Sequence, residues 1–189
     1  MESKTVYFEN PGIENTDEVL RIAKQRAGEL GIKTIVVASS SGYTAVKAME
    51  AFSGFKVIVV SHVTGFRGDN TQEFTEDNRK IVESKGGKIL TTGHAFGGVS
   101  KAMKYSFQTY VIGDIIANTL YIFGQGLKVC IEIALMVADA GLVRTDEEVI
   151  CIAGTGKSGG TDTAIVLSPM YSQKFFDMRV KEILCKPRF

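Results

Sequence analysis

Thr34-Ile35-Val36-Val37-Ala38-Ser39-Ser40-Ser41-Gly42-Tyr43 is the stretch that decides the fold. Its first half is a nearly unbroken apolar run rich in β-branched residues, as a strand requires when both faces of a parallel sheet are covered. Its second half is a corner of small hydroxyl residues closed by glycine, and residues 43–52 continue at helical spacing. A strand that passes directly into a helix is one step of a β-α-β winding.

The same step recurs on both sides. Upstream, residues 5–9 read as a short extended segment ended by the turn Asn10-Pro11-Gly12. Thr16 is then expected to cap a helix over 16–30, with Asp17 and Glu18 at its positive end and Val19, Leu20, Ile22, Ala23, Ala27 and Leu30 on one face. Downstream come a strand at 56–61, a loop at 62–70, a polar helix at 71–85, a strand at 88–92 and a glycine-rich loop at 93–98. Residues 100–141 are helical in pattern, interrupted near Gly124-Gln125-Gly126, and predict two or three helices packed on one another and on the sheet. Strands follow at 147–153, 163–167 and 180–185, with a further glycine-rich loop at 154–160. The expectation is one α/β domain over residues 1–189, a three-layer α/β/α sandwich on a doubly wound, mainly parallel sheet.

Composition narrows the function. The chain has 189 residues, 44% of them hydrophobic, with a formal net charge of +1 and no basic tract, so no nucleic-acid partner is expected. Cys130, Cys151 and Cys185 are widely spaced and odd in number, which suggests neither a disulfide framework nor a zinc cluster. The first residues hold no apolar run long enough for a signal peptide, and the apolar region 109–143 is broken by Asp114, Lys128, Glu132 and Asp139. A cytoplasmic protein with no membrane partner is the expectation.

The strands enter from Lys33, Lys56, Lys88 and Glu147 and leave into loops of a different kind. Parallel strands bring such exits to one edge, where ligands of open α/β sheets bind. The candidate ligand-binding residues are therefore Ser39, Ser40, Ser41, Gly42, Tyr43 and Thr44 on the first loop, and His62, Thr64, Gly65 and Phe66 on the second. Thr92, His94 and Phe96 follow on the third, and Gly154, Gly156, Lys157, Ser158, Gly159 and Thr161 on the fourth. Glycine allows close backbone approach, hydroxyls add donors, and a helix opening at Tyr43 offers its positive end to a phosphate. Ser and Gly also simply make turns.

The run Gly154–Gly159 fits G-x-G-x-x-G but precedes a strand instead of opening a helix. A Walker loop would need a glycine where Cys151 stands. His62 and His94 are the candidates for proton transfer, with no nucleophile-base-orienter pattern and no metal spacing around them. Tyr43, Phe66 and Phe96 either stack on a planar heterocycle or pack. Lys128, Glu132 and Asp139 share a helix face in an apolar region and are expected to form a structural ion-pair network or a subunit interface.

Residues 38–45 and 153–163 together are similar to the two phosphate-facing loops of the carboxyl-terminal domain of pyruvate kinases, a strand with a Ser/Thr-Gly-x-Thr-Ala turn and a later glycine-rich loop. With Phe8–Thr16 (FENPGIENT) and Thr91–Ala102 (TTGHAFGGVSKA), the whole chain resembles the free-standing pyruvate kinase α/β-domain proteins of archaea and bacteria. That resemblance implies a three-layer α/β/α fold, bound flavin mononucleotide (FMN) as cofactor, and a phosphate site walled by Ser40, Ser41, Gly42 and Thr44 against Gly156, Ser158, Gly159 and Thr161. Asp162 stands where the kinases tend to have Asn, and its charge would repel a phosphate unless it is turned away. Pyruvate kinase chemistry belongs to a separate barrel of roughly 200 residues, which this chain does not contain, so that activity is not expected. A small phosphorylated ligand is the expected partner, in a homo-oligomer. The alternatives are a flavin-dependent oxidoreductase or phosphorylated-metabolite hydrolase, which unchanged turnover in His62→Asn and His94→Asn would remove, and a structural or regulatory oligomer indifferent to ligand.

Overall fold

The computed structural model describes residues 2–156 and 159–188. Its strands are β1 (Val6–Phe8), β2 (Thr34–Ala38), β3 (Lys56–Ser61), β4 (Lys88–Thr91), β5 (Val149–Ala153), β6 (Thr163–Ser168) and β7 (Arg179–Pro187), in one sheet of order β1-β7-β6-β5-β2-β3-β4. β5, β2, β3 and β4 run parallel, with Val37 level with Ile152 on one side and Val59 on the other. β6 is antiparallel to both neighbours, Ala153 facing Thr163, because the chain re-enters the sheet directly beside the strand it has just left.

Helices cover both faces. α1 (Thr16–Leu30), α2 (Tyr43–Ala51) and α3 (Glu76–Ser84) lie on one; on the other, α4 (Gly98–Phe107) packs on α5 (Ile112–Tyr121), and α5 and α6 (Gln125–Asp139) form the cover. Alternation along β2 shows why its sequence is apolar throughout. Ile35 and Val37 join Val19, Ala23, Ala48 and Phe52 in the first core, while Val36 joins Ile133, Ala134 and Val137 in the second. α6 carries the second layer: 12 of its 15 residues are buried, because it lies between the sheet and α5.

Three expectations are corrected. Thr16 does not cap α1; Asn15 holds that position, and the Thr16 hydroxyl instead accepts the Thr161 N–H at 3.2 Å. The polar helix begins at Glu76, not at residue 71, because Thr75 caps it by accepting the Asn78 N–H. Ahead of it the Gln72 amide bonds Phe74 N–H and the His62 carbonyl and holds an irregular bend. The region 100–141 contains three helices, but α4 does not pack on the sheet and has no buried residue.

Candidate functional site

The carboxyl ends of β2, β3, β4 and β5 meet at one edge, and α1, α2, α3 and α6 all begin there. The contacts are direct. Thr161 N–H reaches Thr16 at the start of α1, and Thr75 N–H at the start of α3 reaches the Ser41 carbonyl beside α2. A Cβ placed on Gly126, in the first turn of α6, would meet Thr163 at 2.2 Å. Four positive helix ends at one edge favour a negative ligand.

On one side of this edge the polar groups are mostly engaged by the chain. The Ser39 hydroxyl accepts from Ala45 N–H at 3.3 Å and the Ser41 hydroxyl from Tyr43 N–H at 3.4 Å, so both help to cap α2. Gly42 stands at φ 98°, and a Cβ there would lie 2.5 Å from that of Asn78, whose amide donates to the Ser41 carbonyl. The hydroxyls of Ser40 and Thr44 bond no protein group among the described residues. In the hairpin the Thr161 hydroxyl donates to the Ala153 carbonyl and is fully buried. Asp162 is buried too, accepting Thr155 N–H at 3.0 Å and the Thr163 hydroxyl at 2.8 Å. The carboxylate is thus turned inward, beside the start of α6, and its charge serves the hairpin.

The other side is built from ionisable side chains. His62 Nδ1 lies 2.6 Å from Glu73 Oε2, and Arg67 reaches the other carboxylate oxygen at 3.3 Å. Burial pushes the Glu73 carboxyl up, but the bonds from His62 and Arg67 outweigh it and hold it below the usual range. An ionised Glu73 only accepts, so His62 carries its proton on Nδ1 and, when neutral, leaves Nε2 as an acceptor. The Phe66 ring lies 4.1 Å from the His62 ring and 5.4 Å from that of His94, with the Lys101 ammonium 4.2 Å from its centre. Burial pushes His94 below its ordinary value; Glu132 opposes this, while His62, Lys101 and Lys128 add to it. Neutral His94 accepts the Val63 N–H on Nε2 at 3.4 Å.

Beneath these rings, Glu132 binds the Lys128 ammonium with one oxygen and accepts the Phe96 N–H at 2.9 Å with the other. The expected charge network is therefore smaller than its helix spacing suggested. Asp139 takes no part and binds Ser172 instead. Phe96 is 7% exposed, with its ring edge-on to Phe175 at 5.6 Å in the second core. Tyr43 and Thr92 are exposed, and Thr64 lines an open groove of about 790 Å³ beside β4, with Gln72, Thr75, Glu76, Arg79 and Thr91. Gly65 takes φ 85° and donates to the Thr71 carbonyl. Gly154 packs on Gly160 and Thr161, Gly156 lies near Gln125, and Gly159 is exposed. Lys157 and Ser158 lie outside the described residues.

Glu73 and Lys101 escaped the sequence analysis. Glu73 sits in a polar loop 11 residues from His62, with no local pattern to mark it. Cys130, Cys151 and Cys185 are free and buried, and burial pushes their thiols up, away from nucleophilic character. Among the described residues no helix is long and apolar enough to cross a membrane.

The family model described as "Pyruvate kinase, alpha/beta domain" matches residues 17–167. Among solved structures, the chain is similar to a pyruvate kinase from Cryptosporidium parvum at 10% identity and a TM-score of 0.43, over 82% of this chain and 23% of that one. It is also similar to Cryptosporidium parvum pyruvate kinase in complex with ADP, at 12% identity and a TM-score of 0.40, over 89% of this chain and 23% of that one. The chain thus spans 23% of the length of these kinases.

Proposed function

Because this chain belongs to the pyruvate kinase alpha/beta-domain family, we propose that it binds a phosphorylated, nucleotide-like small molecule at the carboxyl edge of its sheet, with FMN as the first candidate. The observation that carries this is the convergence of four helix amino ends on that edge, with the Ser40 and Thr44 hydroxyls bonded to no protein group among the described residues. A phosphate at α2 would take these hydroxyls, with the positive helix end adding its field, while Ser41 and Ser39 keep the Tyr43 and Ala45 N–H groups. Inward-turned Asp162 does not oppose it.

The residues present fit the phosphate end of FMN. For the planar end, the Phe66–His62 pair is already closed at 4.1 Å, so a flavin ring would stack on an outer face of the pair or displace Phe66. The groove beside β4 is in the size range of small-ligand sites, and it adjoins the α2 corner through the bond from Thr75 to Ser41. Bound flavin would supply redox chemistry; the chain's part is to hold the phosphate and orient the ring beside His62.

The test is the absorption spectrum of freshly purified protein, mass spectrometry of what it releases on denaturation, and thermal unfolding with added FMN. The expected result is a flavin spectrum, or a gain of about 2.7 kcal/mol at a ligand concentration 100-fold above Kd. A colourless protein that releases no phosphorylated compound, and gains no stability from FMN or from sugar phosphates, overturns the proposal.

A further inference from the structure

The second helical layer ends in a surface that the described residues leave uncovered. Of seventeen exposed large hydrophobic side chains among the described residues, ten lie between Val99 and Phe123. They include Val99 at 79% exposure, Tyr105 at 72%, Ile112 at 75% and Ile122 at 76%. α5 packs only Ile116, Ala117 and Leu120 on the core, and α4 contributes nothing to it. Where α5 ends, Tyr121 lies beside the Lys128 ammonium, so the exposed rim passes directly into the buried charge pair of α6.

We propose that this α4–α5 face is where a second copy of the chain docks, forming an isologous dimer. Ten such side chains present on the order of 1,000 Å² of apolar surface, above the few hundred Å² that monomers expose and close to the ~800 Å² each partner gives to a stable interface. One face meeting its own copy closes a two-fold assembly and leaves no patch open for further growth. The charges agree. A net charge of +1 lets two copies approach without strong repulsion. An anionic membrane surface would call for a basic cluster, whereas Lys101 and Lys104 on α4 each lie over an aromatic ring, of Phe66 and Tyr110, at 4.2 and 4.8 Å. The face is also firm: a Cβ on Gly113 of α5 would meet the Phe96 carbonyl and the Ser100 hydroxyl at 2.7 Å, so α5 rests directly on the start of α4.

Sedimentation velocity of the full chain at tens of micromolar tests this. The expected result is a species of twice the 20.5 kDa chain mass. The double variant Ile112→Glu/Ile122→Glu should weaken association by roughly 100-fold or more, with an unchanged far-UV circular dichroism spectrum, while Ile81→Glu on the opposite layer leaves the dimer intact. Should the double variant fail to fold, hydrogen exchange of the wild-type chain decides: amides in residues 99–123 should become better protected as concentration rises. A wild-type chain of single mass, alone or recovered on anionic vesicles, overturns the proposal. So does a folded double variant that remains dimeric, or exchange in residues 99–123 that is indifferent to concentration.

Discussion

The two sides of the sheet's carboxyl edge solve the same problem, irregular backbone over a buried core, with different materials. From Ser39 to Thr44 and from Gly154 to Thr163, side-chain oxygens meet backbone N–H groups, carbonyls and neighbouring hydroxyls, and Asp162 is the only carboxylate involved among the described residues. From His62 to Phe96, with α6 beneath, most joints involve a charged or ionisable side chain: Glu73 with both His62 and Arg67, Lys101 over the Phe66 ring, and Glu132 with Lys128. The first side is fixed by backbone geometry and has little to titrate. The second can change its charge, and that is where proton-dependent behaviour should be confined.

The largest expected effect lies on the charged side. Lys128 and Glu132 are 7% and 4% exposed, so Lys128→Met strands a buried carboxylate and should cost about 3–5 kcal/mol in urea unfolding. Lys128→Met/Glu132→Met removes both charges and should recover most of that loss. If the single variant cost no more than a surface change, the charged side would be as tolerant as solvent-facing loops and the contrast would collapse. Next comes Gly160→Ala on the backbone side. Gly160 stands at φ 63°, and a Cβ there would come 2.5 Å from both Ile13 Cα and the Thr16 hydroxyl. A backbone atom cannot yield as a flexible side chain can, so a loss of about 2–3 kcal/mol is expected, read as a lower urea midpoint with the slope unchanged.

This contrast also separates what was legible in the sequence. β2, β3 and β5 were, because a strand buried on both faces must be apolar throughout, and Val36-Val37, Val57–Val60 and Ile150–Ile152 satisfy this. The convergence of the four loops followed from parallel strands alone. Thr16 was misjudged as a cap because its partner, Thr161, is 145 residues away. The positioning of His62 by Glu73 was hidden because it depends on how an irregular loop folds back, not on a period. The exposed apolar helices looked like sheet cover for a related reason: apolar periodicity marks a face to be buried without saying whether the chain or another molecule buries it.

The smallest expected effect tests the contrast most directly. Burial, assisted by His62, Lys101 and Lys128 and opposed by Glu132, holds His94 below its ordinary value of about 6.5. The unfolded chain therefore takes up this proton first as pH falls. The contribution of neutral His94 is complete above pH ~6.5 and is lost as pH drops through that value toward the folded one. Glu73, also lowered, adds a second loss that begins only below the usual carboxylate range, about pH 4.3. Unfolding temperatures measured from pH 8 to 5 should thus fall on the acid side, and His94→Gln should flatten that fall while Gly160→Ala lowers the whole curve without changing its slope. An unchanged slope in His94→Gln would mean that His94 takes up its proton as readily folded as unfolded, and the charged side would then be no more pH-sensitive than the backbone side.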